Sequence, residues 1–206
     1  TLLAQVDAAI GGKVGVNLPG GKNLVGAFHQ PWVVVVDPDL LATLPRREFR
    51  SGLYEVIKYG MACSSDLFAR VQRDLGQISK RDAASLTHVI ADSCRIKAAI
   101  VAADERESGP RRILNFGHTA GHALEAVTRY RRFLHGEAVA YGMLIAAEIA
   151  VARDRLAPGD RDALARLVSQ LGPLPPLGDL GADAVLALMR RDKKVHESRL
   201  HLVLPT

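Results

Sequence analysis

The chain has 206 residues, 48% of them hydrophobic and 5% aromatic, with 27 lysines and arginines against 22 acidic residues, for a net charge of +5. That length supports one large or two small domains with a real core, and the dispersal of the basic residues points to a small anionic ligand and away from nucleic acid. Cys63 and Cys94 stand far apart without CxxC spacing, which excludes a disulfide framework, and no long apolar run or opening signal segment is present, so the expectation is a reduced, cytoplasmic protein with no membrane partner.

Residues 1–30 are rich in glycine and are expected to be irregular, reading Ala9-Ile10-Gly11-Gly12-Lys13-Val14-Gly15-Val16-Asn17 and then Gly20-Gly21-Lys22-Asn23. Such glycines permit close backbone approach to a ligand. The β-branched run at 32–36 predicts a short buried strand ended by Asp37-Pro38-Asp39. From residue 46 the pattern turns helical. Residues 47–59 carry Phe49, Leu53, Val56 and Ile57 at helical spacing, and 83–103 carry Leu86, Val89, Ile90, Ile96 and Ile100. Further helices are expected at 117–130, 136–153, 159–171 and 181–191, with Pro173, Pro175 and Pro176 breaking the chain between the last two. Alternating Leu200, Leu202 and Leu204 predict a terminal strand at 198–204. The fold expected is an α/β remnant at 1–45 followed by a mainly α-helical domain at 46–206. The opening Thr1-Leu2-Leu3-Ala4, without an initiator methionine, reads as the interior of a larger protein.

The chemistry concentrates in Arg111-Arg112-Ile113-Leu114-Asn115-Phe116-Gly117-His118-Thr119-Ala120-Gly121-His122, followed by Leu134-His135-Gly136-Glu137. Histidines at i and i+4 on a helix aim two rings at one point, which suits a borderline metal; the alternative is one buried core histidine and one surface histidine. Thr119 occupies the glutamate position of HExxH, which argues against a zinc protease. Glu55 and Lys58, three apart among apolar neighbours, form either a simple helix-face ion pair or part of a metal site. Gly21-Lys22 is followed by Asn23, and Val16 stands five places before Gly21, so the phosphate-loop pattern fails; no GxGxxG is present. His29, His88, His196 and His201 have no partner pattern.

Taken together, Leu2-Leu3-Ala4-Gln5-Val6-Asp7, Gly11-Gly12-Lys13, Gly21-Lys22-Asn23-Leu24-Val25-Gly26-Ala27-Phe28, Gly52-Leu53-Tyr54-Glu55-Val56-Ile57-Lys58, the Asn115 to His122 block, His135-Gly136-Glu137 and Asp192-Lys193-Lys194 resemble the 3-dehydroquinate synthase family. The resemblance implies an enzyme that uses NAD and Zn2+, with Co2+ as a substitute, to convert 3-deoxy-arabino-heptulosonate 7-phosphate into 3-dehydroquinate and phosphate in the shikimate pathway, as a homodimer when full-length. It implies Glu55, His118 and His135 as metal ligands. Lys13, Asn23, Lys58, Lys97, Arg111, Asn115, His122 and one or both of Lys193 and Lys194 are implied as the substrate set, with Glu107 a further active-site carboxylate. Thr1, Asp7, Lys22, Thr43 and Leu44 are implied at the NAD site.

The chain departs from the family pattern at Ala8 and Ala9, where serines are common, and at Val14, where threonine is frequent. The family's glycine-rich nucleotide-binding half would precede Thr1, so the chain is expected to be a C-terminal part. Rival readings are another NAD- and metal-dependent sugar-phosphate cyclase, a polyol dehydrogenase of the same broader superfamily, and an inactive fragment. Arg111 and Asn115 favour a substrate with a carboxylate, because a guanidinium and an amide make a fork for it. The many lysines argue against a neutral polyol.

Overall fold

The structure, a computed structural model, describes residues 1–18, 21–191, 195–196 and 199–205, with side chains described outside 17–24 and 191–200. A short π-helix at Ala4–Ala8 leads into an antiparallel hairpin of β1 (Lys13–Leu18) and β2 (Gly21–Phe28), in which Lys13 faces Phe28 and Gly15 faces Gly26. The glycine-rich start is therefore a hairpin where irregular chain was expected. Its valines at 14, 16 and 25 alternate with glycines at 15 and 26, a strand pattern that glycine content obscures.

The expected buried strand at 32–36 is a second correction. Trp32, Val33, Val34 and Val35 are exposed and form no strand, because among the described residues no neighbouring strand lies alongside to take up their backbone groups. A 3-10 turn at Pro38–Leu41 follows, its start held by Asp37, whose carboxylate accepts from the Asp39 N–H at 2.9 Å.

Among the described residues seven helices build the remainder: α1 Arg46–Cys63, α2 Ser65–Ser79, α3 Ala83–Ala103, α4 His118–Val127, α5 His135–Val151, α6 Pro158–Gln170 and α7 Ala182–Arg191, with a 3-10 turn at Pro110–Asn115 before α4. The second of these was not singled out by the periodicity. It is set by Ser64, whose hydroxyl accepts from the Leu67 N–H at 3.2 Å, and it buries Leu67, Val71 and Ile78 on one stripe. Asp82 caps α3 in the same way, accepting from the Ser85 N–H at 2.9 Å.

Residues 51–60 of α1 are buried all round, which makes it the central helix, with α2, α3 and α5 packed against it. The core between them gathers Phe49, Leu53, Ile57, Val71, Val139 and Met143. Two short strands, β3 (Val195–His196) and β4 (Arg199–Leu200), pair near the end of the chain, so the terminal strand is shorter than the 198–204 expected. No helix among the described residues is long and apolar enough to cross a membrane.

Candidate metal and substrate site

Three elements meet where Glu55 leaves the middle of α1, His118 opens α4 and His135 opens α5. Their ligand atoms all lie within 4.8 Å of one another. Two glycines make this convergence possible. Gly117, at φ +78°, turns the chain into α4, and a Cβ there would meet the Val139 carbonyl oxygen at 2.8 Å. Gly136 lets α5 touch α1 so closely that a Cβ would fall 1.9 Å from the Ser51 carbonyl oxygen. The Gly136 N–H then donates to the Ser51 hydroxyl at 3.0 Å.

Both histidines are oriented by their Nδ1 side. His118 Nδ1 lies 3.1 Å from the Phe116 carbonyl oxygen, which fixes the tautomer protonated there and leaves Nε2 as a lone pair facing Glu55 Oε1 at 3.8 Å. His135 Nδ1 lies 3.4 Å from Glu125 Oε2, and its Nε2 lies 3.5 Å from the same Glu55 oxygen. Glu55 is fully buried, and neither of its oxygens accepts a well-directed hydrogen bond; Oε2 has the Lys58 ammonium at 2.5 Å in ion-pair contact. A buried carboxylate left so short of directed donors, with two imidazole Nε2 atoms facing it, is a donor set that fits a divalent cation of the zinc type.

For Glu55 and His118 the electrostatics agree with that fit. Burial would raise the Glu55 carboxyl, yet Lys58, His135 and His118 hold it well below the usual carboxylate range. Burial, aided by Lys58, keeps His118 neutral by lowering it well below the ordinary histidine value. Burial also opposes a charge on His135, but the Glu125 and Glu55 carboxylates on either side of the ring outweigh that and push it up to about 9, so without a metal the ring is protonated and has to give up a proton to ligate one. A second grouping, His122, Glu125 and His135, shares one ring with the first. His122 is exposed, its ring 5.4 Å from that of His118 and 6.1 Å from that of His135.

A family model described as 3-dehydroquinate synthase C-terminal matches residues 52–195, and one described as 3-dehydroquinate synthase N-terminal matches residues 1–51. The chain belongs to the 3-dehydroquinate synthase family. The 3-dehydroquinate synthase of Solibacter usitatus is 48% identical over 205 residues, and that of Gloeobacter violaceus 50% identical over 206; each alignment covers 100% of this chain and 57% of the relative. The chain thus spans little more than half the length of the curated relatives it matches. Among solved structures, 2-epi-5-epi-valiolone synthase from Streptomyces hygroscopicus subsp. jinggangensis, with NAD+ and Zn2+ bound, aligns with a TM-score of 0.86 at 28% identity over 100% of this chain and 57% of that one. A 2-deoxy-scyllo-inosose synthase in complex with carbaglucose-6-phosphate, NAD+ and Co2+ aligns with a TM-score of 0.86 at 29% identity over 98% and 56%.

In this member of the dehydroquinate synthase family the cations expected around the metal group fall into two sets. Lys58 is buried beside Glu55; burial disfavours its charge, but Glu55 and Asp7 raise it, so it stays an ammonium. Lys97 donates to the Asp7 carbonyl at 2.6 Å and to the Asp7 carboxylate, and burial lowers it from its ordinary value. On the other side, Glu107 accepts from both Lys13 and Asn115. Arg111 is buried, and its guanidinium donates to the carbonyls of Gly11, at 3.0 Å, and Glu105. The fork expected to face substrate is thus turned onto backbone, where it holds the Gly11 turn against the loop after α3.

Of the residues expected at a cofactor, Thr1, Asp7, Thr43 and Leu44 lie around the π-helix and the 3-10 turn, both packed on α3. Thr1 and Thr43 are exposed, Leu44 is half-buried, and Asp7 accepts from the Tyr59 hydroxyl at 2.6 Å. Lys22 and Asn23 sit in β2, their side chains outside the described residues, and Lys193 and Lys194 lie wholly outside them. Sequence reasoning missed Tyr59 and Glu125. The signal for Glu125 was present, since 118, 122 and 125 share one helical face at spacings of four and three.

Proposed function

We propose that this chain is the metal- and substrate-binding part of a 3-dehydroquinate synthase, an enzyme of the shikimate pathway acting on 3-deoxy-arabino-heptulosonate 7-phosphate. The observation that carries the reading is the buried Glu55 carboxylate faced by the Nε2 atoms of His118 and His135. It is supported by relatives of that name 48–50% identical along the whole chain, against 28–29% for cyclases of other substrates. On this reading Glu55, His118 and His135 hold Zn2+, or Co2+ in its place, and Thr1, Asp7, Lys22, Thr43 and Leu44 contribute to holding NAD. When bound, the metal would polarise substrate oxygens and NAD would accept and return a hydride.

The chain's own residues do the rest. Lys58, kept charged by Glu55 and Asp7, presents a proton donor beside the metal group. Lys97, buried, and Asp7, half-buried, form a pair that positions each other next to it. Lys13, Asn23, Asn115, His122 and a lysine at 193 or 194 supply donors for a substrate anionic at both ends, and Glu107 holds Lys13 and Asn115 together between turnovers. Arg111 shapes the Gly11 turn beneath Lys13. The full-length enzyme is read as a cytoplasmic homodimer.

The test is metal content. His135→Ala is expected to abolish stoichiometric Zn2+ binding, whereas His122→Ala retains the metal and loses affinity for the phosphorylated substrate. Full metal occupancy in His135→Ala, measured by elemental analysis after dialysis, would reject the ligand set.

A further inference from the structure

His135 is the one ligand group whose ring stands between two carboxylates. Its Nε2 faces Glu55 Oε1 at 3.5 Å and its Nδ1 faces Glu125 Oε2 at 3.4 Å. Glu125 projects from α4, seven residues after His118, and is buried to 1% exposure. Its backbone carbonyl is occupied by the Tyr130 N–H at 2.7 Å, which anchors the end of α4 where the carboxylate emerges.

A buried carboxylate costs several kcal/mol unless it meets a charged or strongly polarised donor. Here the imidazole N–H of His135 is such a donor. A ligating imidazole has given up a proton and has one lone pair, so His135 can present it to Glu55 or to Glu125 but not to both. The choice falls to the Glu55 side. His118 aims its own free nitrogen there, and Glu55 is the carboxylate whose oxygens lack directed donors. The competing grouping of His122, Glu125 and His135 depends on an exposed histidine and would use the nitrogen turned away from Glu55.

We infer that Glu125 is a positioning residue, accepting the Nδ1–H of His135 so that the Nε2 lone pair is fixed toward Glu55 and His118. This rests on the metal reading above. A carboxylate behind a ligating imidazole fixes the ring's tautomer and orientation and raises its basicity, and loss of such a partner typically costs about 10–100-fold in metal affinity. His118 has a weaker device for the same purpose, the neutral Phe116 carbonyl, so the two ligands differ in how strongly they are held. His135, at the first position of α5 and more exposed than His118, is the one that needs the stronger hold.

The experiment titrates the 206-residue chain with Co2+, read by its visible absorption, and then displaces it with Zn2+ to obtain both affinities. Wild type, Glu125→Gln, Glu125→Ala and His118→Ala are compared, with circular dichroism and urea denaturation confirming that each is folded. The expected result is tight binding by wild type, loss in His118→Ala, a fall of about 10–100-fold in Glu125→Ala with a shifted cobalt spectrum, and a smaller fall in Glu125→Gln, whose amide oxygen still accepts the N–H. Nitrogen-15 chemical shifts of the Zn2+-loaded wild type are expected to report a protonated Nδ1 on His135. Unchanged affinity and spectrum in both Glu125 variants would overturn the inference while leaving the metal site intact. Complete loss of metal in both would make Glu125 a ligand and overturn it in the other direction. If Glu125→Ala does not fold, Glu125→Gln alone decides, by its spectrum and affinity. Failure of wild type to bind, or full binding by His118→Ala, would instead sink the metal reading, and this inference with it.

Discussion

Glycine at 136 is the residue on which the approach of the two helices carrying Glu55 and His135, proposed ligands, turns. Any side chain there is driven into the Ser51 backbone, and overpacking of this kind costs about 1–3 kcal/mol when the structure can yield, more when backbone is the obstacle. Gly136→Ala is therefore expected to lower stability in urea denaturation and to weaken Zn2+ binding together, because His135 moves with the start of α5; a stable variant with unaltered metal affinity would refute the packing argument. Asp104 is a second case at this scale. Burial would raise its carboxyl, but N–H groups of Gly109 at 2.8 Å, Ser108 at 3.0 Å and Arg111 at 3.1 Å hold it below its ordinary value of 3.8. A carboxyl lowered on folding stabilises the native state fully above its unfolded value, and that contribution disappears as pH falls through the folded one. Asp104→Asn should melt at a lower temperature than wild type at pH 7, with the gap nearly constant down to pH 5 and closing at lower pH. A gap unchanged at pH 3 would show that charge is not what Asp104 contributes. Residue chemistry was legible in part: spacing singled out His118 with His122 and left Glu55 and Lys58 as either an ion pair or part of a metal site, and only the family resemblance joined Glu55, His118 and His135, which the fold brings together. Their orientation was not legible, since it depends on Phe116 and Glu125, whose roles exist only once α4 and α5 are packed.

Legibility changes with the element. The span Ala83–Ala103 matches the sequence pattern to the residue, because its cap at Asp82 and its apolar spacing coincide. The 15 residues of Ser65–Ser79 were passed over, although they bury Leu67, Val71 and Ile78, because Gly76 and a polar majority blur the stripe. The hairpin was hidden for a different reason: its strands hold glycines where strands usually hold β-branched residues. That composition has a dynamic consequence. Val14, Val16 and Val25 are exposed, so the two strands gain little from burial, and an isolated two-stranded hairpin is marginal in water. Amide exchange is expected to be fast across β1 and β2 and slow in the 51–60 stretch of α1, measured on the same sample by mass spectrometry or NMR. Equal protection in hairpin and helix would mean that the hairpin is covered in solution.

Exposed large apolar residues crowd one stretch of the molecule, with Val25, Phe28, Trp32, Val33 and Val35 all open to solvent, while the helical part is well packed around α1. Exposed apolar residues grouped like this are an expected site for another surface to cover. The curated relatives are longer, since this chain spans 57% of them, and the proposed reaction needs a nicotinamide held against the substrate alcohol. Holding two reactants in place is worth about 7–11 kcal/mol of a barrier, which a cofactor merely dissolved alongside cannot supply. We therefore expect the 206 residues, folded and loaded with Zn2+, to release no phosphate above background from the heptulosonate phosphate with NAD present. The same residues within a chain of the relatives' length are expected to do so. Trp32 is the single tryptophan and is fully exposed, so the fluorescence of the shorter chain should peak where indole in water does, and shift to the blue in the longer one if that face is covered. Steady, NAD-dependent phosphate release by the 206 residues alone, with Trp32 still water-exposed, would show that the site described here is catalytically sufficient.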